Sequence, residues 1–493
     1  MKKKPNIIFL LNDHQAFYGH DRVHRPHYRK LASEGTEFTH AYTACPLCGP
    51  ARQSLLTGLY PHRHKEIRND VREPFHYKTY LECLADAGYS NYYYGKWHAG
   101  PGTAHDHRCD GFSYPNYGNP YSTPEYKQYL KEMDLMPFKV RIDKQLTRFP
   151  LNVLCNYKEG RFITPNKLGH SGWAVGTVTT PEDTHEAFFL ANLACEKLEE
   201  VASSGQDAPF HLRVDFWGPH QPYWATQEYL DLYDPDKIPE YPSFNDDMAD
   251  KPNIYKKKNL MARRGFMYPK KAPWSFWQQI LRYEYAQQSM IDAAGGKIID
   301  KVKELGLEDN TIIIWSADHG DTVGTHGGLF DKDAFMSEEV VRIPLAMKLS
   351  PGNEQTRIID DVINNLDIPV TILEIAGTRF NHDVHGQSLL PLLTGEDTRE
   401  ESDTMSETHG HFHKHLARMI VNPRYKYIWN AKDIDELYDL EHDPYEMMNL
   451  INDDDHSEVL KEMQERLRYW RDKTEDRVRW NQIKFLRNKL VGS

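Results

Sequence analysis

The chain reads as an α/β protein, a large and mostly parallel sheet sandwiched by helices, with a small α+β lobe at its C-terminal end. Three observations predict this. Short aliphatic runs alternate with amphipathic helical stretches, which is the pattern of strands buried on both faces. Several of these runs stop in residues able to hold a ligand. After about residue 400 the alternation gives way to short strands followed by one helix.

Taken in order, Ile7–Leu11 is a continuous aliphatic run that ends in Asn12-Asp13-His14. It reads as a buried strand. A helix follows around Arg25–Glu34, then a short strand near Glu37–Tyr42 and a helix opening at Cys48. Tyr80–Ala87 is helical and stops at Gly88, a C-terminal cap signal. The next strand, Tyr89–Tyr94, runs into Gly95-Lys96-Trp97-His98, which puts Lys96 and His98 on one strand face. Glu182–Ala202 is a long helix, and Phe210–Phe216 is a strand leading to Pro219-His220. Trp277–Leu305 is helical, and the strand Thr311–Trp315 runs into Ala317-Asp318-His319-Gly320. Ligands of open parallel sheets bind beyond the carboxyl ends of the strands. The four endings Asp13-His14, Lys96/His98, His220 and Asp318-His319 therefore predict one composite site.

Tyr114–Val178 and Tyr223–Trp274 are too long for ordinary connections and are expected to build a substrate pocket. Beyond residue 400, Leu416–Val421, Tyr425–Trp429 and Glu436–Leu440 read as antiparallel strands, with a helix over Ser457–Lys473. This divides the chain into a catalytic domain, 1–400, and a C-terminal subdomain, 401–493.

The net charge of −12 argues against a nucleic-acid binder. A mean hydropathy of −0.71 and no apolar run of membrane length argue against a membrane protein. The basic start, Met1 to Lys4, leads straight into the first strand with no small-residue cleavage site, so the expectation is a cytoplasmic protein. Six cysteines in 493 residues are expected as reduced thiols.

The richest segment is Ala44–His64, ACPLCGPARQSLLTGLYPHRH. Cys48 at a helix start meets backbone N–H groups and the positive end of the helix dipole, which favour an anion there. Arg52, one turn on, shares that face. These residues describe a nucleophile beside an oxyanion platform. Cys45-x-x-Cys48 also fits a redox or zinc pair, but no second such pair follows. Asp13-His14 and Asp318-His319, each past a buried strand, suggest a shared cation.

Cys48-Gly49-Pro50-Ala51-Arg52 followed by Thr57-Gly58 resembles the signature of the sulfatase family, Cys/Ser-x-Pro-x-Arg. Pro5–His14 resembles that family's opening strand, Asp318–Asp321 its second metal motif, and the run ELYDLEHDP from Glu436 its C-terminal region. Ala51 stands where many relatives carry Ser, and Lys65 where they often carry Gly.

The resemblance implies an alkaline-phosphatase-like fold and conversion of Cys48 to formylglycine by a maturation enzyme. It implies Asp13, His14, Cys48, Asp318 and His319 as ligands of one divalent cation. His14 departs from the usual Asp or Gln. Calcium is the cation implied, while the two imidazoles keep manganese open. Lys96 and Lys332 would hold the sulfate, with Arg52 stabilising charge at the nucleophile. His220 would protonate the leaving alcohol, and His98 would help expel sulfate from the hydrated aldehyde.

The implied substrate is a sulfate ester of a small molecule or oligosaccharide. The basic clusters Lys256–Lys258, Arg263-Arg264 and Lys270-Lys271, and the aromatics of Tyr114–Tyr126 and Trp274–Trp277, would meet a sulfated sugar or else form a solvated face and core. Glu338, Glu339 and Arg342 read as a structural ion-pair group, and His326 has no assigned role. Two other readings stand beside a sulfatase. One is a phosphonate or phosphodiester hydrolase on the same site, and the other is a non-catalytic sulfoglycan-binding protein.

Overall fold

The computed structural model describes residues 3–69, 74–115, 118–146, 159–164, 174–205, 208–257, 272–349, 357–396, 401–411 and 413–479. Its main sheet has eight strands: β1 (Asn6–Asp13), β2 (Thr36–Tyr42), β3 (Ser90–Lys96), β4 (Asp110–Tyr114), β8 (Phe210–Pro219), β10 (Thr311–Ala317), β11 (Arg342–Lys348) and β12 (Arg357–Asn364). Their order is β12-β2-β11-β10-β1-β8-β3-β4. Among these, β11 alone runs against the rest: it pairs antiparallel with β10 and β2, while the other neighbours pair in parallel.

The aliphatic run of β1 explains both faces. Ile8 and Leu10 pack with Leu31, Leu190, Met290 and Ala294, which come from helices Pro26–Glu34, Glu186–Ser203 and Trp274–Glu304. Ile7, Phe9 and Leu11 pack with Leu55, Leu56, Leu84 and Ile372 on the other side, from helices Cys48–Thr57, Tyr80–Asp86 and Asp367–Ile375. Side chains alternate across a strand, so a strand covered on both faces, as β1 is, takes apolar residues on both.

The strands β10, β1, β8 and β3 are consecutive neighbours and parallel, so their carboxyl ends share one edge. A register shift between Leu11 and Asp13 sets Asp13 opposite Pro219. Such a bulge re-aims the side chain at the strand end. Gly95, with φ +115, lets β3 lie against β8 just before Lys96; a Cβ there would sit 2.1 Å from the Asp215 carbonyl oxygen.

Several strands lie where no strand is predicted from sequence. A second sheet, β6-β5-β7-β9, is built from β5 (Val140–Gln145), β6 (Phe162–Ile163), β7 (Ala174–Val178) and β9 (Tyr223–Thr226). The segments expected to form only a pocket thus carry a small sheet. Tyr114, Tyr121, Tyr126 and Trp277 are buried in the core, with Tyr121 stacked 4.2 Å from Phe138. Of the basic clusters, Lys258, Arg263, Arg264, Lys270 and Lys271 lie outside the described residues. Two boundaries also move. A 3-10 turn over Glu182–Thr184 precedes the helix, which starts at Glu186, and the long helix starts at Trp274.

The C-terminal sheet is antiparallel, in the order β13 (Thr404–Gly410), β14 (Lys414–Val421), β15 (Tyr425–Asn430) and β16 (Glu436–Asp439). Met463, Leu467 and Trp470 of the Ser457–Lys473 helix close its core together with Ala44 and Tyr60. The lobe therefore packs against both flanks of the Cys48 helix. No helix among the described residues is long and apolar enough to cross a membrane.

Candidate active site

Cys48 is the first residue of its helix and all ten residues of that helix are buried. The sulfur lies 3.0 Å from His319 Nε2. Asp13, Cys48, Asp318 and His319 form one set of potential metal ligands whose donor atoms all lie within 4.8 Å of one another. Asp13 Oδ1 is buried in that set without a hydrogen-bond partner. A set of carboxylate, cysteine sulfur and imidazole donors with an orphaned oxygen fits a divalent cation.

Sequence places His14 among the same ligands. In the structure its donor atom lies within 4.8 Å of Cys48 and His220, in a second group that shares Cys48 with the first, and its ring packs edge-on to His319 at 4.6 Å. Its Nδ1 pairs with Gln221 Oε1 at 2.9 Å, and its ring stacks on His220 at 4.3 Å. The backbone at His14 turns to φ +71 past the strand end, so its side chain leaves the line set by Asp13.

Arg52 is held more tightly than a free anion clamp. Nε donates to Asp318 Oδ2 at 2.8 Å, and Nη1 donates to Asp215 Oδ2 at 2.8 Å and to the Lys96 carbonyl at 3.0 Å. Nη2 has no hydrogen-bond partner. Lys96 pairs with Asp13 Oδ2. Arg213 grips Asp215 through two nitrogens, at 2.6 and 2.8 Å. Three carboxylates (Asp13, Asp215, Asp318) thus face three cations (Arg52, Lys96, Arg213), all buried. Burial raises the Asp13 carboxyl, but Lys96 and Arg52 outweigh it and hold the group well below the usual carboxylate range. Asp215 was missed by sequence reading. Its signal is the alternation His211, Arg213, Asp215 inside a buried strand, which demands internal pairing.

Lys332 lies beside Asp331 at 3.4 Å. Burial alone would lower its ammonium, but negative charge on Cys48, Asp331, Asp13 and Asp321 holds it above its ordinary value. Burial pushes His220 down to about 3, against the pull of Asp13. Its Nδ1 pairs with the Gln221 carbonyl at 2.6 Å, and its ring stacks on Trp217 at 5.5 Å. His98 is buried, but β3 ends at Lys96 and His98 has φ +40, so strand alternation does not put the two on one face.

Sequence reading also missed Glu186, whose carboxyl burial pushes up to about 7. His326, without a sequence role, bridges Asp246 at 3.0 Å and Glu339 at 3.4 Å. Glu338 pairs with Arg342 at 3.5 Å and with Lys426 at 3.0 Å.

An anion-holding nucleophile and a cation set at the carboxyl edge of a parallel sheet define a hydrolase of charged esters. The Sulfatase family model matches residues 5–378, and the model described as N-sulphoglucosamine sulphohydrolase, C-terminal, matches 324–473. The chain belongs to the sulfatase family and is a sulfuric ester hydrolase with the alkaline-phosphatase-like fold.

It is 27% identical to the uncharacterized sulfatase YidJ of Escherichia coli, over 97% of this chain and 89% of the relative. It is 26% identical to the N-acetylglucosamine-6-O-sulfatase of Bacteroides thetaiotaomicron, over 94% and 86%. Among solved structures, one captured with its substrate D-glucosamine-2-N,6-O-disulfate aligns with TM-score 0.72 at 20% identity, over 98% of this chain and 100% of that one. The phosphonate monoester hydrolase of Agrobacterium radiobacter aligns with TM-score 0.75 at 20% identity, over 95% and 96%.

Proposed function

We propose that this sulfatase hydrolyses sulfate esters of a carbohydrate, with Cys48 converted to formylglycine and one divalent cation held by Asp13, Asp318, His319 and residue 48. The observation that carries it is the convergence of Cys48 and Arg52, from one helix, with His319 and Lys332, from the segment that follows β10. The likeness to an N-acetylglucosamine-6-O-sulfatase supports the sugar. A cation bound there supplies Lewis-acid stabilisation of the ester oxygens, and the hydrated aldehyde supplies a hydroxyl nucleophile with a second proton to lose.

The chain's own residues do the rest. Arg52, pinned by Asp215 and Asp318, keeps Nη2 for charge developing at residue 48. Lys332 stays an ammonium and holds the sulfate. His220 is a neutral imidazole in the free site. An anionic ester offsets the charge of Lys96 and Lys332, which both depress His220, and so favours the protonated form that donates to the leaving oxygen. Calcium is the cation we propose, with manganese as the competitor. The cytoplasm is the proposed location, supported by five described cysteines that are all free thiols.

The test is the mass of the tryptic peptide Leu31–Arg52 from protein co-expressed with a maturation enzyme, followed by aldehyde trapping and a sulfated-sugar panel. Conversion with turnover supports the reading. A persistent thiol and no turnover removes it. His319 beside Asp318 and the fold shared with a phosphonate monoester hydrolase favour a second reading, phosphonate hydrolysis. Parallel assays of aryl sulfate and aryl phosphonate discriminate the two.

A further inference from the structure

Glu186 opens the Glu186–Ser203 helix, yet its carboxyl does not cap that helix. The cap is made by His185, whose Nδ1 accepts the Ala187 N–H at 3.2 Å. The carboxyl of Glu186 reaches to the end of β8 instead. Oε2 accepts the Trp217 N–H at 3.3 Å, and Oε1 accepts the Gly218 N–H at 3.1 Å. Pro219 has no N–H, so these are the last two backbone donors before His220. Glu186 is wholly buried. A buried carboxylate is a costly way to satisfy two amides, and its cost needs a return elsewhere.

Four contacts set the place of the His220 ring. Trp217 stacks on it at 5.5 Å and His14 at 4.3 Å. The Gln221 carbonyl takes Nδ1. The fourth is the peptide arch itself, which Glu186 grips. Behind the arch the long helix leaves little room: a Cβ at Gly218 would meet Ile291 Cδ1 at 2.7 Å and Gln287 Nε2 at 2.8 Å. The arch is therefore crowded by Ile291 and Gln287 and held by Glu186.

We propose that Glu186 is a positioning residue for the general acid: by holding the Trp217 and Gly218 amides it sets the place of His220 relative to residue 48. This rests on the reading above, in which His220 protonates the leaving oxygen. Two acceptor oxygens serve two adjacent donors. A glutamine offers one oxygen and sets an NH₂ group against the other donor.

The test uses matured full-length protein and a series of aryl sulfates from 4-nitrophenyl to phenyl to 4-methoxyphenyl sulfate. Protonation matters little for a good leaving group and much for a poor one. A displaced general acid should therefore steepen the dependence of kcat/KM on leaving-group basicity. Glu186→Ala is expected to lose about 10-fold on 4-nitrophenyl sulfate and about 100-fold or more on phenyl sulfate. Glu186→Gln should lie between wild type and Glu186→Ala, and His220→Ala should be the steepest. If Glu186→Ala fails to fold, Glu186→Gln against His220→Ala carries the comparison alone.

Parallel slopes with a uniformly lower rate would overturn the proposal, because a merely structural role lowers all substrates alike. An unchanged Glu186→Gln profile would do the same. Absence of turnover by the matured wild-type protein on the sulfated-sugar panel as well as on every aryl sulfate is a separate result, which removes the proposed formylglycine mechanism itself.

Discussion

Two networks of buried charge lie on either side of the Cys48 helix, and they differ in what they leave unfinished. Behind the helix, Glu407 takes the His62 N–H at 2.5 Å, His62 Nδ1 at 2.6 Å and His409 Nε2 at 3.0 Å. Arg418 donates to Asp476 through two nitrogens and to the carbonyls of Thr408 and Ala417. Every polar atom of Glu407 and Arg418 is engaged.

In front of the helix the charges also balance, yet Asp13 Oδ1, Arg52 Nη2 and His14 Nε2 have no hydrogen-bond partner. Buried polar atoms are nearly always paired. The first network, closed except at His409 Nδ1, fixes how the C-terminal lobe docks, and the open one reserves its atoms for a ligand.

The largest effect should come from the open side. Cys48→Ala is expected to lower turnover by roughly 10⁴-fold or more with little change in urea midpoint. Turnover within tenfold of wild type would show that residue 48 is not the nucleophile.

Arg52→Ala and Arg418→Ala should each cost about 3–5 kcal/mol in urea unfolding, because each strands buried carboxylates. They should part in function: the Arg52 variant loses turnover, whereas the Arg418 variant keeps its kcat per folded molecule. Equal loss of kcat in both would erase the distinction between the two networks.

A cation at 100 times its Kd should raise stability by about 2.7 kcal/mol, seen as a higher Tm with calcium or manganese than with chelator. Asp318→Asn should weaken that gain. A Tm indifferent to both ions would count against the four-donor set.

The closed side should answer to pH instead. Burial lowers His62, but Glu407 outweighs it and holds the imidazole above its ordinary 6.5. Its contribution is therefore complete below 6.5 and disappears as pH rises through the folded value. Burial raises Glu407, but Arg418 and His62 hold it well below 4.5, so its contribution is complete above 4.5 and lost as pH falls through the folded value. The stability difference between wild type and His62→Gln should thus be greatest between 4.5 and 6.5 and shrink at alkaline pH. A difference independent of pH would mean that the pair is not ionic.

The smallest effect belongs to an exposed pair on the same lobe contact, Arg63 with Glu475 at 2.7 Å, where Arg63→Ala should cost about 0.2–1 kcal/mol.

Much of the site was legible because parallel sheets impose a simple rule. A buried, largely apolar strand lies inside the sheet, and the polar residues at its carboxyl end stand at the edge where ligands bind. Asp13, Lys96, His220 and Asp318 all sit at or just past such ends. Cys48 and Arg52 follow from helix geometry.

What sequence alone determined is therefore the class of fold and the local chemistry at each strand end. Tertiary structure alone decided which ends are neighbours, that the His14 side chain packs on His220 and Gln221 while its N–H donates to Asp318, and that Asp215, Glu186 and Glu407 complete the buried charge. The reason is physical. Periodicity reports the burial of a single element, whereas a partner 160 residues away is chosen by strand order, register and the need to pair every charge taken out of water.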